Sequence, residues 1–590
     1  MKKSVDLVFL WHMHQPDYRD YSNGDFVLPW TYLHAIKDYT DMAYHLERHP
    51  KVRAVVNFVP ILLDQLEDYA DQFATGQLRD PLLRLLAHEN FHELSAEQRQ
   101  LALDACFRSN HTKMIAPYPA YKRLLELFTR LQVDGETALS YLSGQYMADL
   151  LTWYHLVWCG ESVHREHSLV VDLMSKAEGF SREDRRQLLA LIGELICGVI
   201  PRYRKLAESG QIEISATPHY HPLAPLLIDF ASAKEAMPDA PLPNSPHYPK
   251  GRQRVTAHIQ LAKKSHRERF GSEPQGMWPA EGSISSETLE VLAAEGCRWT
   301  ASGEGVLANS LHRFRQGVDG HGIAQHNFPD RAQYLYRPYR LEIGRPENGR
   351  VENGAGGLSC FFRDDRLSDL IGFEYSRWHG KDAARHFIEQ IEAIAQQAPD
   401  DETPVVSVIL DGENAWEYYS YNGFYFLDEL YAELEAHPNI RTSTYSDYLK
   451  SSATRPGSAQ VHTLPGIVAG SWVYGNFSTW IGSRDKNRAW DLLCVAKQSF
   501  DMVMSSGRLS PDEQEAAEKQ LCCCESSDWF WWFGDYNPAH SVASFDRLFR
   551  HNLTELYRLL RLSPPLSLSE PVSQGSGHPE AGGAMRRASE

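Results

Sequence analysis

The sequence predicts an α/β fold of repeated strand–loop–helix units, an α/β barrel or, failing that, a doubly wound sheet. Three observations carry this. Short apolar runs such as VDLVFL at 5–10 end in polar, aromatic-rich loops, as strands of a parallel sheet do when their C-terminal ends are functional. Strand–helix alternation resumes after a long stretch of apolar residues at helical spacing. Beyond about residue 450 helical patterns dominate again.

In chain order, 5–10 and 53–60 (RAVVNFVP) read as the first two strands. From about 61 to 210, segments such as AYKRLLELFTRL place apolar residues at i, i+3 and i+4, which marks a helical insertion. Residues 211–215 (QIEIS) are strand-like, 258–270 helical, and 276–281 lead into a loop. A helix over 286–295 should close at Gly296, and the series continues with strand 298–302, helix 387–397, strand 405–410 and helix 424–436. Helices are expected over 486–504, 510–524 and 545–562; the tail from 563 to 590, rich in Pro, Ser and Gly, reads as disordered. The units are then 1–450, carrying the insertion at about 61–210, a helical domain at 451–562, and the tail.

Composition bounds the function. The 590 residues carry 59 Lys plus Arg against 77 Asp plus Glu, a net charge of -18, which disfavours nucleic acid and anionic membrane surfaces as partners. No stretch approaches a membrane span, and the first residues lack the apolar run of a signal peptide. Nine cysteines form no CxxC pair, and Cys522-Cys523-Cys524 read as small helix-packing residues. A cytoplasmic, reduced protein is expected. Aromatics reach 11%, suited to a large core or to a cleft that recognises sugar faces.

Four motifs sit at strand ends. In WHMHQP, His12 and His14 fall on one side of an extended segment, able to bind a metal, donate to hydroxyls or serve structure. GQIEISATPHYHP places Glu213 in a buried strand, with His221 in the loop beyond; Glu213 needs a partner there, a histidine being the plain structural alternative. GMWPAEG sets Trp278 three residues before Glu281. DGENAWE puts Asp411 directly past a strand, with Glu413 and Glu417 as competitors and Trp416 nearby. Two carboxylates from separate strand ends, each beside a tryptophan, suit glycoside hydrolysis through a nucleophile and a general acid. Two later clusters, GSWVYGNFSTWIG and SDWFWWFG, hold Trp472, Asp528 and Trp529, as a cleft wall or as a Trp-rich domain interface.

The ordered set HQP, GQIEISATPHYHP, WPAEGS, LDGENAWE and the two Trp clusters resembles glycoside hydrolase family 57 over about residues 8–534. That resemblance implies an incomplete (β/α)7 barrel, then an α-helical C-terminal domain, and activity on α-glucans. It implies Glu281 as nucleophile and Asp411 as general acid/base. Gln15-Pro16 and WPAEGS look more like the α-amylase and amylopullulanase members than the branching ones. The expectation is a retaining enzyme that cleaves α-1,4 linkages, with α-1,6 linkages a further target, on an intracellular glucan or maltodextrin and without a cofactor or metal. His12, His14, Glu213 and His221 would hold sugar hydroxyls; Trp278, Trp416, Trp472 and Trp529 would offer stacking faces or cleft walls, and Asp528 a polar contact. The alternatives are a 4-α-glucanotransferase using the same carboxylates, a metal-dependent deacetylase- or mannosidase-like hydrolase, and a non-catalytic glucan-binding protein.

Overall fold

A computed structural model of the protein describes residues 3–133, 141–319, 331–341, 357–453, 455, 457–459 and 461–576. Ten strands form one sheet: β1 (Val5–Met13), β2 (Ala54–Phe58), β3 (Ile212–Ala216), β4 (Gly276–Met277), β5 (Trp299–Ser302), β6 (Tyr339–Leu341), β7 (Ser359–Phe362), β8 (Val405–Asp411), β9 (Ile440–Thr442) and β10 (His462–Leu464). Seven of them run parallel in the order β7-β5-β4-β3-β2-β1-β8. The two ends of this series meet only at an isolated bridge between Arg363 and Ser407, so the result is an incomplete (β/α)7 barrel. β9 pairs with the first half of β1, while β6, antiparallel to β7, carries β10 outside the barrel.

Alternation along the strands separates two packing layers. Val8 and Leu10 of β1, Val55 of β2, Trp299 and Ala301 of β5, Phe361 of β7 and Val405 and Ile409 of β8 fill the barrel interior. The residues between them, such as Leu7, Phe9 and Trp11, pack outward against the helices. Parity therefore sends the last inward-phased residues, His12 of β1, Asn57 of β2 and Asp411 of β8, into the barrel mouth. Register sets them side by side, His12 opposite Asn57 on one flank and Asp411 on the other.

The insertion between β2 and β3 is helical, from Pro60–Thr75 to Arg182–Glu208; Asp80, Ser95 and Ser181 cap its helices as sequence chemistry predicts. Arg484–Ser505, Pro511–Cys524, Asp528–Trp532 and Ala539–Leu559 form the later helical bundle. Cys522, Cys523 and Cys524 are all buried in it.

Two sequence expectations need correction. β7, Ser359–Phe362, ends the parallel series and is absent from the strands expected above; its SCFF run shows no clear apolar alternation. The tail is not loose over its first part: Leu566–Ser569 forms a turn of 3-10 helix, and the Val572 N–H donates to Asp546 at 2.6 Å. Buried acceptors hold it where composition suggests disorder. Residues 577–590 lie outside the described residues.

Candidate active site

A cavity of about 760 Å³ opens at the C-terminal ends of the barrel strands, lined by His12, His14, His221, Glu281, Asp411, Glu413, Trp472 and Asp528 among others. Both carboxylates that the motifs single out thus face one space. Asp411 enters it as the inward-phased last residue of β8, and the Asn414 amide donates to its Oδ2 at 2.8 Å. Burial pushes its carboxyl up to about 6, against the opposing Asn414 bond and the neighbouring His14 and Arg363 side chains. Glu413 accepts the His14 backbone N–H at 3.0 Å; burial and then the Asp411 charge hold it well above the carboxylate range.

Glu281 sits on a short 3-10 turn after β4 with φ 59°, left-handed for a non-glycine residue. Such backbone is costly and persists where the surroundings over-determine it. Trp472 does so twice: its backbone N–H donates to the Glu281 carbonyl at 3.0 Å, and its indole N–H to Glu281 Oε2 at 3.0 Å. Gly282, at φ +58°, could carry no side chain, since a Cβ would lie 2.5 Å from the Trp278 ring. Arg363 lies 5.4 Å from the Trp472 ring centroid and is tied to Asp365, Asp369 and the Ile409 carbonyl.

Three histidines line the same cavity beside Asp411. The His12 ring meets Asn57 Oδ1 at 2.7 Å, and burial, with His14 next, pushes it down to about 3. His14 Nε2 contacts Asp528 at 2.9 Å, and His221 Nδ1 contacts Ser527 Oγ at 3.0 Å. Burial, then His14 and His12, hold His221 well below its usual value. His12 and His221 are therefore neutral, able to give or take hydrogen bonds from hydroxyls. The ligand atoms of His14, His221 and Asp528 lie within 4.8 Å of one another, close enough to suggest a metal. The two rings, however, stack at 3.9 Å with planes only 24° apart. A metal must lie near both ring planes, and planes so nearly parallel share no point within bonding reach of both rings.

Four expected contacts are not cavity contacts. Glu213 does point into the barrel, but at its N-terminal end, where Oε1 accepts from the Trp299 indole at 2.7 Å and the Ser446 hydroxyl at 2.6 Å. It closes the barrel floor; its partners are a tryptophan and a serine, not a histidine. Trp278 is fully buried beneath Glu281 as part of the barrel core. Trp416 is core, donating to the Gly412 carbonyl at 2.8 Å and packing on Trp11. Trp529 is core too, bonded to the Cys523 carbonyl and packed on Phe549. In its place Trp531 and Trp532 line the cavity. Helical spacing could have found them: i+3 and i+4 share the face of Asp528, while i+1 turns away. Asn57 was equally legible from strand parity. Arg363 was not, because it follows the unrecognised β7.

A nearly closed parallel barrel whose strand ends deliver carboxylates into one cleft beside a helical bundle is the architecture of a barrel enzyme with its active site at the C-terminal face. The model of Glycosyl hydrolase family 57 matches residues 8–461. The chain belongs to that family. Solved structures agree on the fold: a branching enzyme of the same family from Thermococcus kodakaraensis (15% identity, 95% of this chain and 90% of that one, TM-score 0.54), one from Pyrococcus horikoshii (14%, 98% and 99%, 0.53), and the α-amylase AmyC from Thermotoga maritima (13%, 95% and 93%, 0.52). At these identities the likeness shows the fold and does not choose between branching and hydrolysis. Comparison with curated protein sequences finds no match. Among the described residues no helix is long and apolar enough to cross a membrane.

Proposed function

We propose that the protein is a retaining α-glucan-active glycosidase that cleaves α-1,4 linkages, with α-1,6 linkages a further target, in glucans or maltodextrins. Glu281 attacks the anomeric carbon while Asp411 gives its proton to the departing glycosidic oxygen. Asp411 then takes a proton from water, which attacks the glycosyl ester and frees Glu281. The single observation that carries the reading is the pairing of unequal carboxylates in one cavity: Asp411 raised to about 6 by burial, and Glu281 held by an indole N–H. His12, His14, His221 and Asp528 would hold hydroxyls, and Trp472, Trp531 and Trp532 would wall the sugar chain. Family membership supports the chemistry, as do the α-amylase and branching activities named for the solved relatives. Nine free cysteines, eight of them buried, fit a reducing cytoplasm.

Replacing Glu281 by Gln keeps the shape and removes the nucleophile. Turnover of maltooligosaccharides should fall by roughly 10³-fold or more with the melting temperature retained. Turnover near the wild-type rate by that variant would refute the assignment.

A further inference from the structure

Outside the cleft, three large aromatic side chains gather on the surface. Tyr421 is 59% exposed, Tyr425 48% and Trp378 45%; Trp378 is the only tryptophan among the described residues to stand out so far. The Tyr421 and Tyr425 rings lie 5.6 Å apart, edge to face. Trp378 packs on Tyr375 and His386, and two residues on, the Gly380 backbone runs against Tyr425, where an added Cβ would lie 3.1 Å from Tyr425 Cβ.

Two segments run from the cavity to this patch. Phe373 lines the cavity, and the chain then passes Tyr375, which packs on Trp378 at 5.4 Å. Tyr418 also lines the cavity, and Tyr421 follows on the same loop that carries Asp411. The rim between them is tied down, since Lys113 donates to Ser420 Oγ at 3.1 Å while the adjoining His111 and Thr112 face the cavity.

The backbone is bent at a cost to present this loop. Tyr421 (φ 55°) and Asn422 (φ 51°) are both left-handed without being glycine. The Asn422 amide is anchored on buried Asp41 at 2.8 Å, a carboxylate that also accepts the N–H groups of Glu161 and Ser162. The Arg165 guanidinium donates to the Tyr425 hydroxyl at 3.1 Å and lies over the Phe424 and Tyr425 rings, 4.3 and 4.9 Å from their centroids, so it covers one face of Tyr425 and leaves its edge beside Tyr421. The exposed Trp378 and Tyr421 rings, both on segments that leave the cleft mouth and with a guanidinium and the Tyr425 hydroxyl beside them, suit a neutral ligand with both C–H faces and hydroxyls.

We propose that Trp378, Tyr421 and Tyr425 form an outer platform for the part of an α-glucan chain that leaves the cleft. The inference rests on the α-glucan reading above. A chain long enough to occupy both cleft and platform binds in two linked steps and gains affinity; a short one does not.

The test is the double variant Trp378→Ala/Tyr421→Ala in the full-length protein. Its affinity for soluble amylose, read by affinity electrophoresis, should fall by about tenfold or more, while kcat/KM on a short maltooligosaccharide stays within about twofold of wild type. Unchanged affinity for amylose overturns the platform, as does an equal loss on the short substrate. If light scattering shows a wild-type dimer that the substitutions dissociate, the patch serves a second copy and the proposal falls. A wild-type protein that cleaves no α-glucan but binds amylose through these residues would refute the catalytic reading alone. One that neither binds nor cleaves overturns both.

Discussion

Glu525 and Asp528 stand three residues apart on one segment of the helical bundle, and both meet histidines from the barrel side. Glu525 is saturated. Its oxygens take Arg254 Nε at 2.8 Å, His258 Nε2 at 2.8 Å and the Tyr248 hydroxyl at 2.6 Å, with no exposure. Burial alone would raise its carboxyl; Arg254 and His258 outweigh that and hold it well below the usual range. Asp528 faces the cavity with His14, and the buried His14 Nδ1 and His221 Nε2 have no hydrogen-bond partner. The same residue types join the domains at one place and hold spare hydrogen-bonding capacity towards the cleft at the other. His258 Nδ1 is also buried without a partner, so access to the cavity, not composition or pairing alone, separates the structural cluster from the reactive one.

The largest effects should come from breaking each cluster at its centre. Asp411→Asn should lower kcat/KM on maltooligosaccharides by about 10²–10⁴-fold with little change in melting temperature. In the wild type the basic limb of kcat/KM should lie near pH 6. The acid must be protonated to act, so activity falls as pH rises through the Asp411 value of about 6. A basic limb that survives in the variant would mean that Glu413 or another group is the acid.

Arg254→Met should act on stability instead, by about 3–5 kcal/mol, because it leaves Glu525 buried and unpaired. The sign with pH follows from the lowered Glu525 value: its stabilisation is present above the unfolded carboxylate value of about 4.3 and is lost as pH falls below it. The wild type should therefore lose more of its stability than the variant on acidification, as read by urea unfolding at pH 7 and pH 3. Equal losses would mean that Glu525 does not hold the interface by charge.

A smaller effect is expected of Trp472→Phe, which keeps a ring against Trp278 and removes the N–H on Glu281 Oε2. kcat should fall about tenfold with KM little changed; a rise in KM alone would make Trp472 a stacking surface. The smallest belongs to Glu213→Gln, with kcat/KM within about twofold and about 1 kcal/mol lost from stability, read by kinetics and thermal unfolding. A collapse of activity there would return Glu213 to the site.

Most of the site was legible because strand parity is local. His12 and Asp411 could be read as strand-end residues from an alternation that needs no partner to be seen, and Glu281 from the Pro and Gly around it. The tryptophans were not. Trp278, Trp416 and Trp529 are as near in sequence to polar site residues as Trp531 and Trp532 are, yet core packing claims the first three. Glu213 failed differently, since parity correctly turns it inward and only the length of β3 shows it lies at the barrel floor.

By itself, then, the sequence determined the strand ends, the inward phase of the histidines and carboxylates, and the family to which their order belongs. Backbone periodicity dictates the first two within a few residues, and the order of the motifs carries the third. Only the tertiary structure decided which aromatic faces meet the cleft, that Trp472 holds Glu281, and that Glu525 is sealed in the interface where Asp528 faces the cavity. Those outcomes depend on which distant segments arrive as neighbours, and burial and pairing are properties of the neighbours.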